Sequence, residues 1–201
     1  LSMLAADSTG FADPVLDAQS TFRTLMDAFA RPGSVQRLAP RLVPPAGLAI
    51  GLAAVALALC DHETAVWLDP PLAADREVAA YLAFHTGAGL TTDPREAAFA
   101  LVSDLAALPP FGSFSVGDDA YPDRSTTIVA AVSGLAEAGA LRLAGPGIDG
   151  ERQLGVAPWP AHLTGELAEN RALFPRGVDL VLVAPAAVAA LPRTTRIVEA
   201  R

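Results

Sequence analysis

The sequence contains no lysine: all fourteen of its cationic side chains are arginine. Without a side-chain primary amine there is no internal Schiff base with pyridoxal phosphate, no Walker-A lysine and no Ser-x-x-Lys nucleophile pair. Cysteine is nearly as scarce, since Cys60 is the only one. One thiol excludes an intrachain disulfide, a cysteine zinc cluster and a three-cysteine iron–sulfur site. His62, His85 and His162 are the only histidines, and they are too scattered to suggest a zinc centre. No metal and no cofactor is expected. The formal net charge is −8 and the pI about 4.7, so the chain has no general attraction for a phosphate backbone. Nucleic acid is not an expected partner.

Long apolar runs are missing too. The longest, Ala46 to Cys60, has 15 residues and two glycines, which is short for a membrane span and suits a buried helix. The first residues, Leu1 to Asp7, lack the basic start and apolar stretch of a signal peptide. Leu1-Ser2 reads as a cloning remnant ahead of a start at Met3. The expectation is a cytoplasmic protein with no membrane partner. Its flexible N-terminus is expected over residues 1–9, followed by a single α/β domain over 10–201. At 52% hydrophobic residues that domain has ample material for a core.

Strand and helix patterns alternate. Asp13-Pro14 reads as a helix start, with Asp as N-cap and Pro in the first turn. Val15, Ala18, Phe22, Leu25, Met26 and Phe29 then recur at helical spacing, predicting one buried face that ends at Pro32-Gly33. An extended piece over Ser34–Leu42 leads to the buried helix over Ala46–Cys60. Thr64–Leu68, Ala98–Val102, Ser125–Val132 and Leu141–Leu143 read as strands. A helix is predicted over Asp75–His85, a loop over Thr86–Pro94 and one long loop over Leu108–Arg124. Alternation of this kind argues for a layered sheet with helices on both faces.

Several motifs have ordinary explanations. Cys60-Asp61-His62-Glu63 holds metal-ligand residue types, but at a helix-to-strand junction they point apart and read as a solvated turn. Thr86-Gly87-Ala88-Gly89 follows a helix rather than a strand and lacks a third glycine, so it reads as a helix C-cap. Gly112 to Gly117 has the wrong spacing for a nucleophile elbow. Gly145-Pro146-Gly147-Ile148 either lets backbone approach a ligand or simply reverses the chain between strands.

The most informative stretch is Glu166 to Ile197, ELAENRALFPRGVDLVLVAPAAVAALPRTTRI. A short helix breaks at Phe174-Pro175 and turns through Arg176-Gly177. The strand Val178–Val183 follows, apolar enough to be buried on both faces. A second proline-bounded turn then delivers Leu191-Pro192-Arg193-Thr194-Thr195. Arg176, Asp179, Arg193, Thr194 and Thr195 form the best polar constellation, with Arg31 able to join it. Arginine pairs bidentately with phosphate or carboxylate, and threonine adds donors. The competing reading pairs Arg176 with Asp179 and uses Arg193 to tie down a C-terminal strand. Neither reading supplies a nucleophile or general base.

That stretch and the block GFADPVLDAQSTFRTLMDAFARPGSVQRL (Gly10 to Leu38) resemble the PhnH family of the carbon–phosphorus lyase system. Weaker echoes lie at Leu82–Ala88, Ala98–Val102 and Leu143–Ile148, so the resemblance runs from about Gly10 to Ile197. It implies a three-layer αβα sandwich with a mixed, mainly buried sheet, like the large domain of type I pyridoxal-phosphate transferases. Lacking lysine, such a chain could not hold that cofactor covalently. The resemblance also implies an accessory, noncatalytic role in a core complex that replaces the adenine of ATP with a phosphonate, giving a ribose 1-phosphonate 5-triphosphate. A different subunit would break the carbon–phosphorus bond. A homodimer in isolation and attachment to the other core subunits are expected. The alternative is a small enzyme or binding protein with an arginine-lined phosphate or carboxylate pocket on a degenerate transferase-like fold. Candidate ligand- or partner-binding residues are Arg31, Gly145, Gly147, Arg176, Asp179, Arg193, Thr194 and Thr195.

Overall fold

The computed structural model describes residues 8–200, with side chains as far as Val198. The N-terminal segment expected to be flexible lies outside the described residues apart from Ser8 and Thr9. Thr9 pairs with Val43 through two backbone hydrogen bonds of 2.7 and 3.1 Å.

Helix α1 (Pro14–Ala30) starts as the sequence demands. Asp13 accepts hydrogen bonds from the amides of Val15 and Leu16, and Pro14 occupies the first turn, where no amide is required. After the short strand β1 (Gln36–Arg37) comes α2 (Ile50–Leu59), apolar on every side and buried along most of its length. It begins at Ile50, four residues later than predicted. Strand β2 (Ala65–Leu68) leads into α3 (Pro70–Ala74) and α4 (Arg76–Thr86), each capped by an aspartate, Asp69 and Asp75. Gly87 ends α4 in the left-handed conformation at φ 71°. The loop predicted over Thr86–Pro94 contains strand β3 (Gly89–Thr91), and β4 (Phe99–Val102) follows. The long loop after it includes one turn of 3-10 helix at Phe111–Ser113.

Strands β5 (Thr127–Ala131), β6 (Gly134–Ala144) and β7 (Arg152–Ala157) come next, then α5 (His162–Ala172). The chain finishes with β8 (Asp179–Ala184), β9 (Ala187–Leu191) and β10 (Arg196–Ala200). The main sheet has seven strands in the order β1-β9-β8-β5-β4-β2-β3. Its middle is parallel, and β9 runs antiparallel to both β8 and β1. A second, three-stranded antiparallel sheet has the order β10-β6-β7.

The apolar strand of the C-terminal block is buried on both faces. Val181 and Val183 point into a core built with α1, α2 and α4. Leu180 and Leu182 point the other way, towards Leu163 and Leu167 of α5 and Leu141, Leu143 and Leu154 of the small sheet. Ile128, Val129 and Ala130 of β5 alternate in the same way. The architecture is therefore α/β around a mixed sheet. One covering layer is helical, whereas the other combines a single helix with a small sheet.

The face predicted for α1 is a correction. Thr21, Leu25 and Ala28 face the core, while Val15 is 74% exposed, Phe22 44% and Met26 41%. Leu25 and Phe29 of the predicted face do meet the core, but apolar residues surround much of this helix, so periodicity alone sets the stripe too wide. Leu25→Ala is expected to cost about 2–5 kcal/mol, as for other deeply buried leucines. Phe22→Ala should cost clearly less, about 1 kcal/mol, since nearly half of its surface stays in water. Urea melts of the two variants check the assignment, and a larger loss at Phe22 than at Leu25 would contradict it.

Candidate functional site

Arg193 is the organising residue of the C-terminal block. It sits in the turn Pro192–Thr195, between the end of β9 and the start of β10. Its guanidinium has five N–H groups, and every one is engaged within the chain. Nε (3.2 Å) and Nη2 (2.5 Å) donate to the two carboxylate oxygens of Asp179 at the start of β8. Nη1 donates to the carbonyls of Pro122 (2.9 Å) and Pro175 (3.3 Å), and Nη2 also donates to Ser125 Oγ (2.6 Å). The Arg193 backbone amide adds a 2.8 Å bond to Asp179 Oδ1. The two side chains are only 14% and 18% exposed. A guanidinium occupied in this way has no donor left for a phosphate or carboxylate ligand.

Arg176 does not pair with Asp179. It forms an ion pair with Asp119 at 3.2 Å, in which Asp119 is 88% exposed, so the two arginines diverge. Arg31 caps α1 and pairs with Asp27 one turn back at 3.1 Å. Gly145 and Gly147 lie in the reversal between β6 and β7. Both have positive φ, 147° and 80°. A Cβ on Gly147 would sit 2.5 Å from the Ala30 carbonyl oxygen, and one on Gly145 would sit 3.0 Å from that of Thr194. These glycines bring the reversal against the chain's own backbone at the end of α1 and at the 192–195 turn.

Four of the eight candidate residues, Gly147, Asp179, Arg193 and Thr194, help line a cleft of about 440 Å³. Its other walls are apolar: Phe29, Ala30, Pro32, Pro146, Phe174 and Pro192. Phe174, 63% exposed, stands at this cleft. Thr195 is not part of it and instead lines a second, smaller cavity. The larger cleft lies beside the N-terminal end of β8, whereas open α/β sheets usually bind ligands beyond the C-terminal ends of their parallel strands. It offers proline and phenylalanine surface backed by a saturated ion pair. Such a surface suits packing of an apolar group more than proton or acyl transfer.

Cys60 and Asp61 are committed as well. Cys60 is buried, and burial together with the neighbouring Asp61 pushes its thiol up to about 12. Asp61 spends its Oδ1 on the Glu63 amide and the Thr64 hydroxyl. No group of three or more metal-ligating side chains occurs among the described residues. The sequence pattern does not single out Phe29, Pro32, Pro146 and Phe174 as site residues, because apolar side chains and prolines carry no chemical signature until the fold brings them together.

The similarities to known proteins extend over most of the chain. The family described as bacterial phosphonate metabolism protein (PhnH) matches residues 9–198. A Rhizobium meliloti protein named alpha-D-ribose 1-methylphosphonate 5-triphosphate synthase subunit PhnH is 48% identical over 190 residues, covering 94% of each chain. A Stutzerimonas stutzeri protein, HtxG, whose name assigns it provisionally as a C-P lyase subunit, is 36% identical over 183 residues. That match covers 89% of this chain and 85% of the relative.

Arg193→Ala is expected to destabilise the isolated protein by about 3–5 kcal/mol, because it leaves the largely buried Asp179 carboxylate without its partner. Arg176→Ala should stay within ~0.5 kcal/mol, since its ion pair is open to solvent. Denaturant melts compare the two, and equal effects would sink the distinction. Cys60 should resist a disulfide reagent at pH 8 in the native state and react once the chain is unfolded, because only the thiolate attacks. Rapid labelling of the native protein would show the thiol to be exposed.

Proposed function

The chain belongs to the bacterial phosphonate metabolism protein (PhnH) family, and we propose that it is an accessory, noncatalytic subunit of a carbon–phosphorus lyase core complex. In that role it supports formation of a ribose 1-phosphonate 5-triphosphate from ATP and a phosphonate, in the cytoplasm. The observation that carries the reading is the 48% identity, over 94% of both chains, to a protein named as a subunit of such a synthase. The alternative of an arginine-lined catalytic pocket is weakened by Arg193, whose five donors are all engaged internally.

Arg31, Gly145, Gly147, Arg176, Asp179, Arg193, Thr194 and Thr195 enter this reading as the framework of a binding surface. The Arg193–Asp179 pair fixes the turn, the glycines seat the neighbouring reversal, and the apolar cleft beside them receives a side chain of another core subunit. The exposed stripe of α1, with Val15, Phe22 and Met26, supports the expectation of a homodimer in isolation. Large apolar side chains grouped on one helix face are the usual material of a subunit contact. Residues 10–201 act as one domain. The mixed seven-stranded sheet between covering layers supports a relationship to the large domain of type I pyridoxal-phosphate transferases, without the lysine that would hold the cofactor.

Co-purification from phosphate-starved cells tests the assignment. The tagged chain should bring down sister core subunits, and its loss should abolish growth on a phosphonate as sole phosphorus source. Recovery of the chain alone, together with normal growth of the deletion strain, would refute the reading. For the dimer, Phe22→Asp combined with Met26→Asp should give a monomer in light scattering while the thermal midpoint moves little. A persisting dimer would move the contact elsewhere.

A further inference from the structure

The smaller cavity, about 210 Å³, lies between α5 and the start of β10. It is lined by Thr164, Leu167, Ala168 and Arg171 from the helix and by Thr195, Arg196 and Ile197 from the strand. Its polar side chains comprise two guanidiniums and two hydroxyls, and no carboxylate lines it. Neither the Arg171 nor the Arg196 guanidinium has a hydrogen-bond or ion-pair partner among the described residues. This sets them apart from Arg193, Arg176 and Arg31, and the cavity brings the two together on facing elements.

The hydroxyls point the same way. Trp159 Nε1 donates to Thr164 Oγ1 at 3.2 Å, which fills an acceptor position and leaves the Thr164 hydroxyl proton free to be given elsewhere. Thr195 is only 4% exposed, and its Oγ1 is buried with no partner at all. Folds seldom leave a buried hydroxyl unpaired without a reason. Unspent donors on two elements, with no carboxylate in the walls, match the inverse pattern of an oxyanion.

We infer that the α5–β10 cavity is a binding site for a small dianionic tetrahedral oxyanion, of the phosphate or phosphonate class. Arg171 and Arg196 supply charge, and Thr164 and Thr195 supply neutral donors. The inference rests on the geometry of this cavity alone and stands whether or not the chain assembles with a lyase complex. Two positive charges favour a dianion over a monocarboxylate, and two guanidinium forks favour oxygens spread over a tetrahedron over a spherical halide.

The two tryptophans provide the readout. The Trp159 indole N–H is bonded to the cavity wall, whereas Trp67 is buried within the core, edge-on to Phe114 at 5.5 Å, and is no part of the cavity. Nitrogen-15 spectra of the full chain should show a saturable shift of the Trp159 indole signal on titration with inorganic phosphate or methylphosphonate at constant ionic strength. The Trp67 signal should stay fixed. Arg171→Gln and Arg196→Gln should each weaken binding by roughly tenfold or more. An unchanged Trp67 signal in each variant reports that the fold is intact, and Arg95→Gln, at an exposed arginine outside both cavities, should bind like the parent. Preference for methylphosphonate identifies an organic phosphonate as the ligand, and preference for phosphate identifies the free anion. The inference is overturned if Trp159 shows no saturable shift, if chloride or acetate shifts it equally, or if the Arg171→Gln, Arg196→Gln double variant binds as well as the parent.

Discussion

One ion pair sets the geometry of the C-terminal third. Strand β9 belongs to the seven-stranded sheet and β10 to the three-stranded one, with only Pro192 to Thr195 between them. The chain must therefore cross from one sheet to the other within four residues. Arg193 holds that crossing to the start of β8 through Asp179, and to the preceding loop through Pro122 and Ser125. The same four residues contribute Pro192, Arg193 and Thr194 to one cavity and Thr195 to the next. If the crossing loosened, both cavities would lose a wall.

Arginine is suited to this position in a way lysine is not. A planar fork with five donors reaches a carboxylate, two carbonyls and a hydroxyl at once, whereas an ammonium offers three donors from one point. The desolvation of a mostly buried pair is large, and it is tolerated only where the remaining protons also find acceptors. Here they do. The polar residues that look most like a ligand site are thus used to hold the fold, while Arg196, a few residues further along the chain, and Arg171 on α5 keep their guanidiniums unspent.

Much of the architecture is legible in the sequence, and the failures share a cause. The strand at residues 178–183 declares itself through continuous branched apolar residues, and α1 through Asp13-Pro14. Strand β9 is hidden because Ala-Val-Ala-Ala-Leu has neither strand-like branching nor alternation. It becomes a strand by pairing with β8 from Leu180 to Ala184. Strand β6 reads Gly-Leu-Ala-Glu-Ala-Gly-Ala-Leu-Arg-Leu-Ala, a composition that favours helix, and long-range pairing with β7 and β10 overrides it. Sequence spacing also suggests an Arg176–Asp179 contact, yet the strand directs Asp179 to Arg193 across the hairpin. Contacts between residues three apart are local guesses, whereas the observed pair depends on the β8–β9 register.

The distribution of donors and acceptors bears on what this chain can do. A catalytic site needs a nucleophile or base whose reactivity is not already spent. Cys60 is buried as a thiol, Asp179 is saturated by Arg193, and lysine is missing from the chain. Among the described residues, the uncommitted groups include two kinds that lie together: apolar surface on α1 and around Phe174, and cationic donors between α5 and β10. The first kind gains by covering area, and the second by meeting charge. Neither breaks or makes a covalent bond unaided. These two resources suit the holding of a partner surface and an anion, which is what the proposed accessory role asks of the chain.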